Sequence, residues 1–175
     1  MTRTATKPST PQVSAADFRQ LMSCWCTGVA VITSTAGTSP VGCTVNAITS
    51  VSVDPPLLLV GLTTGSRTLT AIQDHRRLGM NLLPAQHVEL ARRFARGDPA
   101  SRFAGVEYRW AEGVPVLADA VVSAVCRIER LLPVADHVLV VAEPVRWWRS
   151  SQRRPLVSYD RAYWSLWSMA VVGRQ

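Results

Sequence analysis

The run Gly42-Cys43-Thr44-Val45-Asn46-Ala47-Ile48-Thr49-Ser50-Val51-Ser52-Val53-Asp54-Pro55-Pro56 mixes β-branched residues with short polar ones and stops at an acid and two prolines. Val, Ile and Thr suit a pleated sheet, whereas proline cannot donate to a sheet ladder, so the run reads as strand ending in a turn. The same pattern extends to both sides. Val29–Ser34, Val41–Val45, Ile48–Val53 and Leu57–Leu62 are short runs rich in Val, Ile, Thr and Leu, broken by Gly37, Pro40, Asp54, Pro55 and Pro56. A further strand is expected near Leu78–Leu83. After a loop at Gly97–Pro115 the pattern resumes at Val121–Leu131, His137–Val145 and Leu156–Tyr159.

Three helices interrupt these strands. Ser14 to Trp25 is predicted helical, with Ser14 as cap and Asp17 three residues on completing a capping box. Phe18, Leu21, Met22 and Trp25 then share one face, which is expected to pack into the core. Ser66 caps a short helix over Thr68–Asp74. A third runs from about Ala85 to Arg96, with Val88, Ala91 and Ala95 inward and Arg92, Arg93 and Arg96 outward. Many short strands with only three helices predict a mainly β, antiparallel barrel rather than a parallel α/β sheet. One domain is expected over residues 14–168, between a polar N-terminal arm (1–13) and a C-terminal tail (169–175).

The chain of 175 residues and 19.1 kDa is 47% hydrophobic, enough to bury a core without metals or disulfides. Nineteen basic residues, of which Lys7 is the one lysine, face twelve acidic ones, giving +7. Such a field favours anionic partners such as nucleotides, nucleic acids or phosphates. The first thirteen residues carry no apolar run of the signal-peptide kind, and Leu57–Gly61 and Val138–Ala142 are far too short to span a bilayer. A soluble cytoplasmic protein without membrane association is therefore expected. Cys24, Cys26, Cys43 and Cys126 fit no metal-finger spacing and are expected to be reduced thiols, mostly buried.

Several chemistries are excluded by motif. No GxGxxG occurs, so a Rossmann site is unsupported. Gly37 to Gly42 has the glycine spacing of a P-loop, but Cys43-Thr44 stands where Lys-Ser/Thr is required. Neither GxSxG, HExxH nor an EF-hand loop is present, and no metal is expected. Two readings of Thr44, Asn46, Thr49, Ser50 and Ser52 remain open on residues alone. They form the polar face of an edge strand, or their small size lets a flat heterocycle lie against the backbone while hydroxyls reach a phosphate. Arg146-Trp147-Trp148-Arg149 with Arg153-Arg154 interleaves cations and aromatics, as a nucleic-acid platform would. The plainer reading puts the two tryptophans on opposite faces of a strand end, one of them buried.

Gly42 to Pro56 resembles the Gly-Met-Thr-x-Asn/Ser-Ser…Ser-Val-Ser-x-x-Pro-Pro signature of the flavin reductase-like, FMN-binding split-barrel proteins. These include the small reductase components of two-component flavin-dependent monooxygenases. The likeness continues in order through Thr27-Gly28-Val29-Ala30-Val31-Ile32-Thr33, Phe94-Ala95, Ser101-Arg102-Phe103-Ala104-Gly105, Gly113-Val114-Pro115-Val116-Leu117, Cys126, Asp136-His137 and Pro155-Leu156 through Tyr163. It covers roughly residues 17–166. Cys43, Ala47, Ile48 and Ala135 depart from the family's usual methionine, serine, aromatic and glycine.

The resemblance implies an antiparallel split β-barrel that binds FAD or FMN and oxidises NADH, with NADPH second. Thr44, Val45, Asn46 and Ala47 would line the isoalloxazine edge. Ser50, Ser52, Ser66, Arg67 and Thr68 would hold the phosphate, a role that a helix N-terminus and a guanidinium suit on physical grounds. Arg102 and Phe103 would close over the flavin, and Asp136 and His137 would contact the nicotinamide nucleotide. The implied protein is a homodimeric flavin reductase that passes reduced flavin to a separate oxygenase. Two other classes are carried beside it: a non-catalytic flavin- or haem-binding split barrel, and a nucleic-acid-binding β-barrel.

Overall fold

A computed structural model describes residues 13–150 and 154–166. The expected arm, save Val13, lies outside the described residues, as do the tail, Trp167, Ser168 and Arg153 of the basic run. In chain order the elements are α1 (Ala15–Ser23), β1 (Thr27–Gly28), β2 (Ala30–Ala36), β3 (Ser39–Val45), β4 (Ile48–Val53), β5 (Pro56–Thr63), α2 (Arg67–His75), β6 (Arg77–Leu82) and α3 (Val88–Arg96). Then follow β7 (Tyr108–Ala111), β8 (Val114–Leu117), β9 (Val122–Val134), β10 (His137–Arg149), β11 (Leu156–Tyr159) and β12 (Ala162–Ser165).

The main sheet has seven antiparallel strands in the order β3-β2-β6-β9-β10-β5-β4. Its two edge strands, β3 and β4, are consecutive in sequence and joined through Asn46-Ala47 alone. Three Cα steps of 3.80 Å span at most about 11 Å. The edges of a flat seven-stranded sheet would stand about 29 Å apart, six spacings of 4.7–4.9 Å. The sheet must therefore roll until its edges meet. It forms a barrel split along one seam, where β3 faces β5 and β4 without a continuous ladder to them.

Rolling leaves β2 covered on both sides. Ile32 points into a core with Val60, Leu62, Leu69, Ile72, Leu78, Val138 and Val140, while Val29 and Val31 point into a second core with Leu83, Ala91, Phe94 and Leu156. Helix α2 contributes Leu69 and Ile72 to the first, and α3 contributes Ala91 and Phe94 to the second. Gly42 permits the latter packing: a Cβ there would lie 3.0 Å from the Phe94 ring and 2.9 Å from the Ile32 carbonyl. Among the described residues the buried Thr27 Oγ1 and His75 Nε2 have no hydrogen-bond partner, whereas the buried Asn81 is fully satisfied. Asn81 donates to the Val31 carbonyl (3.1 Å) and accepts from Leu117 N–H (2.9 Å) and the Ser123 hydroxyl (3.1 Å), tying β6 to β2, β8 and β9.

The helix caps agree with the sequence. Ser14 and Asp17 form the capping box, and Ser66 accepts from Leu69 N–H at 3.1 Å. Other expectations are corrected. The stripe on and just after α1 is not core: Phe18, Leu21, Met22 and Trp25 are 57%, 63%, 43% and 69% exposed, because no element among the described residues lies over them. On α3, Phe94 rather than Ala95 is buried, since a one-residue advance turns a helix by about 100°. The expected loop contains β7 and the start of β8, a hairpin turning at Glu112-Gly113, both with positive φ. Cys24 and Cys26 are exposed, Cys43 half-buried and Cys126 buried, so the CxC pair is not the small buried hydrophobe expected. Trp147 and Trp148 do lie on opposite faces. Trp147 is exposed, while Trp148 packs on Val114, Val116 and Val125, with the Arg109 guanidinium 3.9 Å from its ring centre. Among the described residues no helix is long and apolar enough to cross a membrane.

Candidate functional site

The seam opens into a cleft of about 360 Å³, within the usual range for small-molecule sites. One wall is Cys43, Thr44, Val45, Asn46 and Ala47, and the facing wall is Gly61, Leu62 and Thr63 of β5. Ser66, Ala95, Arg102 and His137 complete the lining. Because β3 is an edge strand, the N–H and C=O groups on its far side meet no neighbouring strand. A flat ligand with ring nitrogens and carbonyls can take those partners. Gly61 keeps the seam narrow at its closed end: its N–H donates to the Ala47 carbonyl at 2.9 Å, and a Cβ would lie 3.2 Å from that of Ala47.

The polar groups around the cleft are held in place by their own partners. The Thr44 hydroxyl donates to the Ala91 carbonyl at 2.7 Å, anchoring β3 to α3, so Thr44 faces the cleft chiefly as backbone. Arg102 donates to the carbonyls of Gly42 (2.8 Å) and Gly97 (3.2 Å), which fixes its guanidinium between β3 and the end of α3. Its charge meets no carboxylate there, since no Asp or Glu lines the cleft. Ser66 sits at the N-terminus of α2, where unsatisfied N–H groups and the helix dipole favour an anion. Burial pushes the Cys43 thiol up from its ordinary value, against a smaller lowering by its hydrogen bond with Thr68 and by Arg102, so Cys43 is a neutral wall group.

His137 enters from the start of β10, opposite Thr63 in the ladder. Its Nδ1 pairs with the Asp136 carboxylate at 2.8 Å, which leaves Nε2 as the ring nitrogen not engaged by Asp136. That hydrogen bond, followed by the imidazole charge, holds the Asp136 carboxyl below its usual value. The turn before it places Ala135 at φ +50°, the left-handed conformation that glycine adopts without strain.

Seven of the residues singled out in the sequence thus line one cleft: Thr44, Val45, Asn46, Ala47, Ser66, Arg102 and His137. Asp136 stands behind His137 and is exposed. Arg67 is an exposed residue of α2 beside Ser66, and Thr68 is buried under the helix start against Cys43. Ser50 and Ser52 lie along β4, where a bulge between them shifts the register, and do not line the cleft. Phe103 stacks edge-to-face on Phe94 (4.9 Å between centres) and Tyr108 (5.4 Å), against the second core. Cys43, Gly61, Leu62, Thr63 and Ala95 are lining residues that the sequence did not single out. A glycine inside an apolar strand was the available signal for Gly61, since such glycines mark close approach of a backbone or ligand.

Comparisons with known proteins fit this geometry. Residues 22–166 match the family model described as flavin reductase like domain. A Rhizobium meliloti protein named "Probable flavin reductase" is 35% identical over 126 residues, 71% of this chain, which spans only 40% of that relative's length. The FMN reductase (NADH) RutF of Bradyrhizobium diazoefficiens is 33% identical over 153 residues, 86% of this chain and 85% of its own. The flavin reductase (NADPH) of Lentzea aerocolonigenes is 43% identical over 136 residues, covering 75% and 78%. Among solved structures, BorF, the flavin reductase component of a bacterial two-component tryptophan halogenase, superimposes with a TM-score of 0.79 at 25% identity, covering 87% of this chain and 98% of that one.

Proposed function

The chain belongs to the flavin reductase-like domain family, and from that premise we infer that it is an NAD(P)H-dependent flavin reductase acting on FAD or FMN. The observation that carries this reading is the seam cleft: an open strand edge of small residues, lined also by an arginine, a helix N-terminus and a histidine, with no carboxylate in its lining. The bound flavin supplies the hydride acceptor. The chain's own part is to stack two flat rings at about 3–3.5 Å, hold a phosphate, and let both nucleotides leave.

In this reading the backbone of Thr44, Val45, Asn46 and Ala47 holds the isoalloxazine edge, where donors stabilise the negative charge that develops on reduction. Ser66, Arg67 and the backbone N–H of Thr68 take the phosphate, a set from which the register of β4 keeps Ser50 and Ser52 apart. Arg102 stiffens the floor, and Phe103 holds the Arg102 loop from behind. His137, aimed by Asp136, orients the nicotinamide amide. We also propose that the protein is cytoplasmic, works as a homodimer and delivers reduced flavin to a separate oxygenase. The apolar stripe on α1 supports the dimer. Beside it Trp25, Cys26, Ile48, Met80 and Leu82 line a further groove that shares Asn46 with the seam cleft.

The deciding experiment is oxidation of NADH and of NADPH by the purified protein, with and without added FAD or FMN. Flavin-dependent oxidation of either nucleotide is expected. Its absence with both flavins overturns the assignment.

A further inference from the structure

Two thiols stand one residue apart where α1 ends, and the fold makes little use of either. Cys24 caps the helix and Cys26 precedes β1, with the exposed Trp25 between them. Both cysteines are exposed, whereas Cys43 is half-buried and Cys126 buried. The Cys24 thiol makes one long contact, donating to the Gln20 carbonyl at 3.7 Å. Cys26 lines the groove that shares Asn46 with the seam cleft. A cysteine kept for packing is buried; one that is exposed is open to oxidation.

We propose that Cys24 and Cys26 form a redox site, a dithiol that a hydroperoxide closes to a disulfide and a thiol reductant reopens, so that the reductase carries its own target for the peroxide made when reduced flavin meets oxygen. The source of the peroxide rests on the flavin reading of the seam cleft; the dithiol does not. Three observations carry the site. The first is reach. Two residues apart, Cα atoms stand at most about 7 Å from each other even in an extended chain, and a bend brings them into the roughly 4.4–6.8 Å that a disulfide spans. The chain turns at Cys24 and bends at Trp25. Only two hydrogen bonds of 3.2 Å hold this corner, from Cys24 N–H to the Leu21 carbonyl and from Trp25 N–H to the Met22 carbonyl, and the ladder begins later, at Thr27. Helix ends fray, so the bridge forms without displacing a strand.

The second is access. Cys24 follows Gln20 by one helical turn, and that flank of α1 meets the β11–β12 turn: Arg161 donates to Gln20 Oε1 at 2.6 Å, and Asp160 N–H to the Ser23 carbonyl at 2.7 Å. Cys24 is thus off the apolar stripe, which is left to a second copy of the chain. The third is contrast. Burial raises the Cys43 thiol above its ordinary value and pushes that of Cys126 up to about 12, so both stay protonated and inert near neutral pH. Oxidation therefore selects the exposed pair.

The chemistry balances. Reduced flavin passes two electrons and two protons to O2, giving oxidised flavin and hydrogen peroxide. One thiolate attacks a peroxide oxygen, the O–O bond breaks, and the departing hydroxide takes up that thiol's proton to become water, leaving a sulfenic acid. The second thiolate attacks this sulfur, the S–O bond breaks, and the second hydroxide leaves as water with the other thiol's proton. Two thiols have lost two electrons and two hydrogens, and one peroxide has become two waters.

To test this, the reduced wild-type chain is treated with equimolar hydrogen peroxide, quenched with N-ethylmaleimide and mapped by mass spectrometry. Expected are loss of the maleimide labels from Cys24 and Cys26, a segment two hydrogens lighter, recovery of both labels after dithiothreitol, and unchanged labelling of Cys43 and Cys126 once the protein is unfolded. Cys24→Ser and Cys26→Ser, both at exposed positions, should keep wild-type circular dichroism and turnover, with a dimedone-trapped sulfenic acid on the remaining thiol in place of the bridge. Wild-type protein that keeps both labels, or that bridges only between chains on a non-reducing gel, overturns the site. A second arm supplies NADH or NADPH with FMN in air, with and without catalase. A bridge that forms during turnover and is prevented by catalase is the expected result, and turnover without a bridge overturns flavin as the source. If neither nucleotide is oxidised while added peroxide still closes the bridge, the reading of the seam cleft fails and the redox site stands.

Discussion

His137 and its neighbours show how much one side chain depends on the turn that carries it. The imidazole is aimed by Asp136, and Asp136 by a turn whose Ala135 sits at φ +50°. Replacing His137 by Ala should raise KM for the nicotinamide nucleotide roughly fivefold, one hydrogen bond's worth, with a smaller change in KM for flavin. Steady-state kinetics with each substrate varied in turn checks this. Ala135→Gly should stabilise the fold by up to about 1 kcal/mol in urea denaturation, because it removes the left-handed penalty. The cysteines separate by environment. Cys126 is fully buried, and desolvation raises its thiol from 9.0 to about 12. Its neutral form is favoured in the folded state, so this contribution to stability is complete below about pH 9 and is lost as pH rises toward 12. At neutral pH, alkylation of the native protein followed by mass analysis should label Cys24 and Cys26 first and Cys126 only on unfolding. Nothing in the residue types marked this difference: a cysteine is apolar enough for a core, and whether a core reaches it is non-local.

At the level of elements, the strands and caps were readable because their signals are local. Ser14 with Asp17, and Ser66, named two helix starts, and Leu156–Tyr159 named a strand to the residue. What failed was facing and context. The stripe Val88, Ala91, Ala95 is a fair helical pattern, yet Phe94 is the larger apolar group, and Gly42 gives it room. The β7–β8 hairpin was hidden inside an apparent loop, although Tyr108-Arg109-Trp110 followed by Glu112-Gly113 is a strand-and-turn signal. Asn81 was passed over as one polar residue in an apolar strand. Buried and joined to Val31, Leu117 and Ser123, it locks β6 against three neighbours, so Asn81→Ala should destabilise by about 2–4 kcal/mol by leaving their polar groups unpaired. Guanidinium denaturation followed by tryptophan fluorescence measures it.

Over the whole molecule, two features have no counterpart in any single element. One is the seam, produced because a two-residue connection must join the outer strands of a seven-stranded sheet. The other is the uncovered stripe of α1. Three large apolar side chains on one short helix, with Trp25 just beyond its end, are a poor surface for a lone subunit, and a second copy of the chain is the proposed cover. Leu21, 63% exposed, can be tested without touching the core. Leu21→Glu should convert a dimer into a monomer of unchanged circular dichroism, read by light scattering on a sizing column. A wild-type monomer would remove the dimer from the account.

The sequence by itself settled what short-range physics encodes: strand and helix periodicities, the residues that cap and break them, the predominance of β structure, and a run of slender side chains beginning at Gly42. The tertiary structure alone decided where those side chains face. It turned Phe94 inward, left Leu21 and Trp25 outside, and drew Gly61 and Thr63 opposite Thr44 to Ala47. The reason is geometric. A period of two or of 3.6 residues says which side chains share a face, but which face is covered depends on partners brought from tens of residues away by the rolling of the sheet.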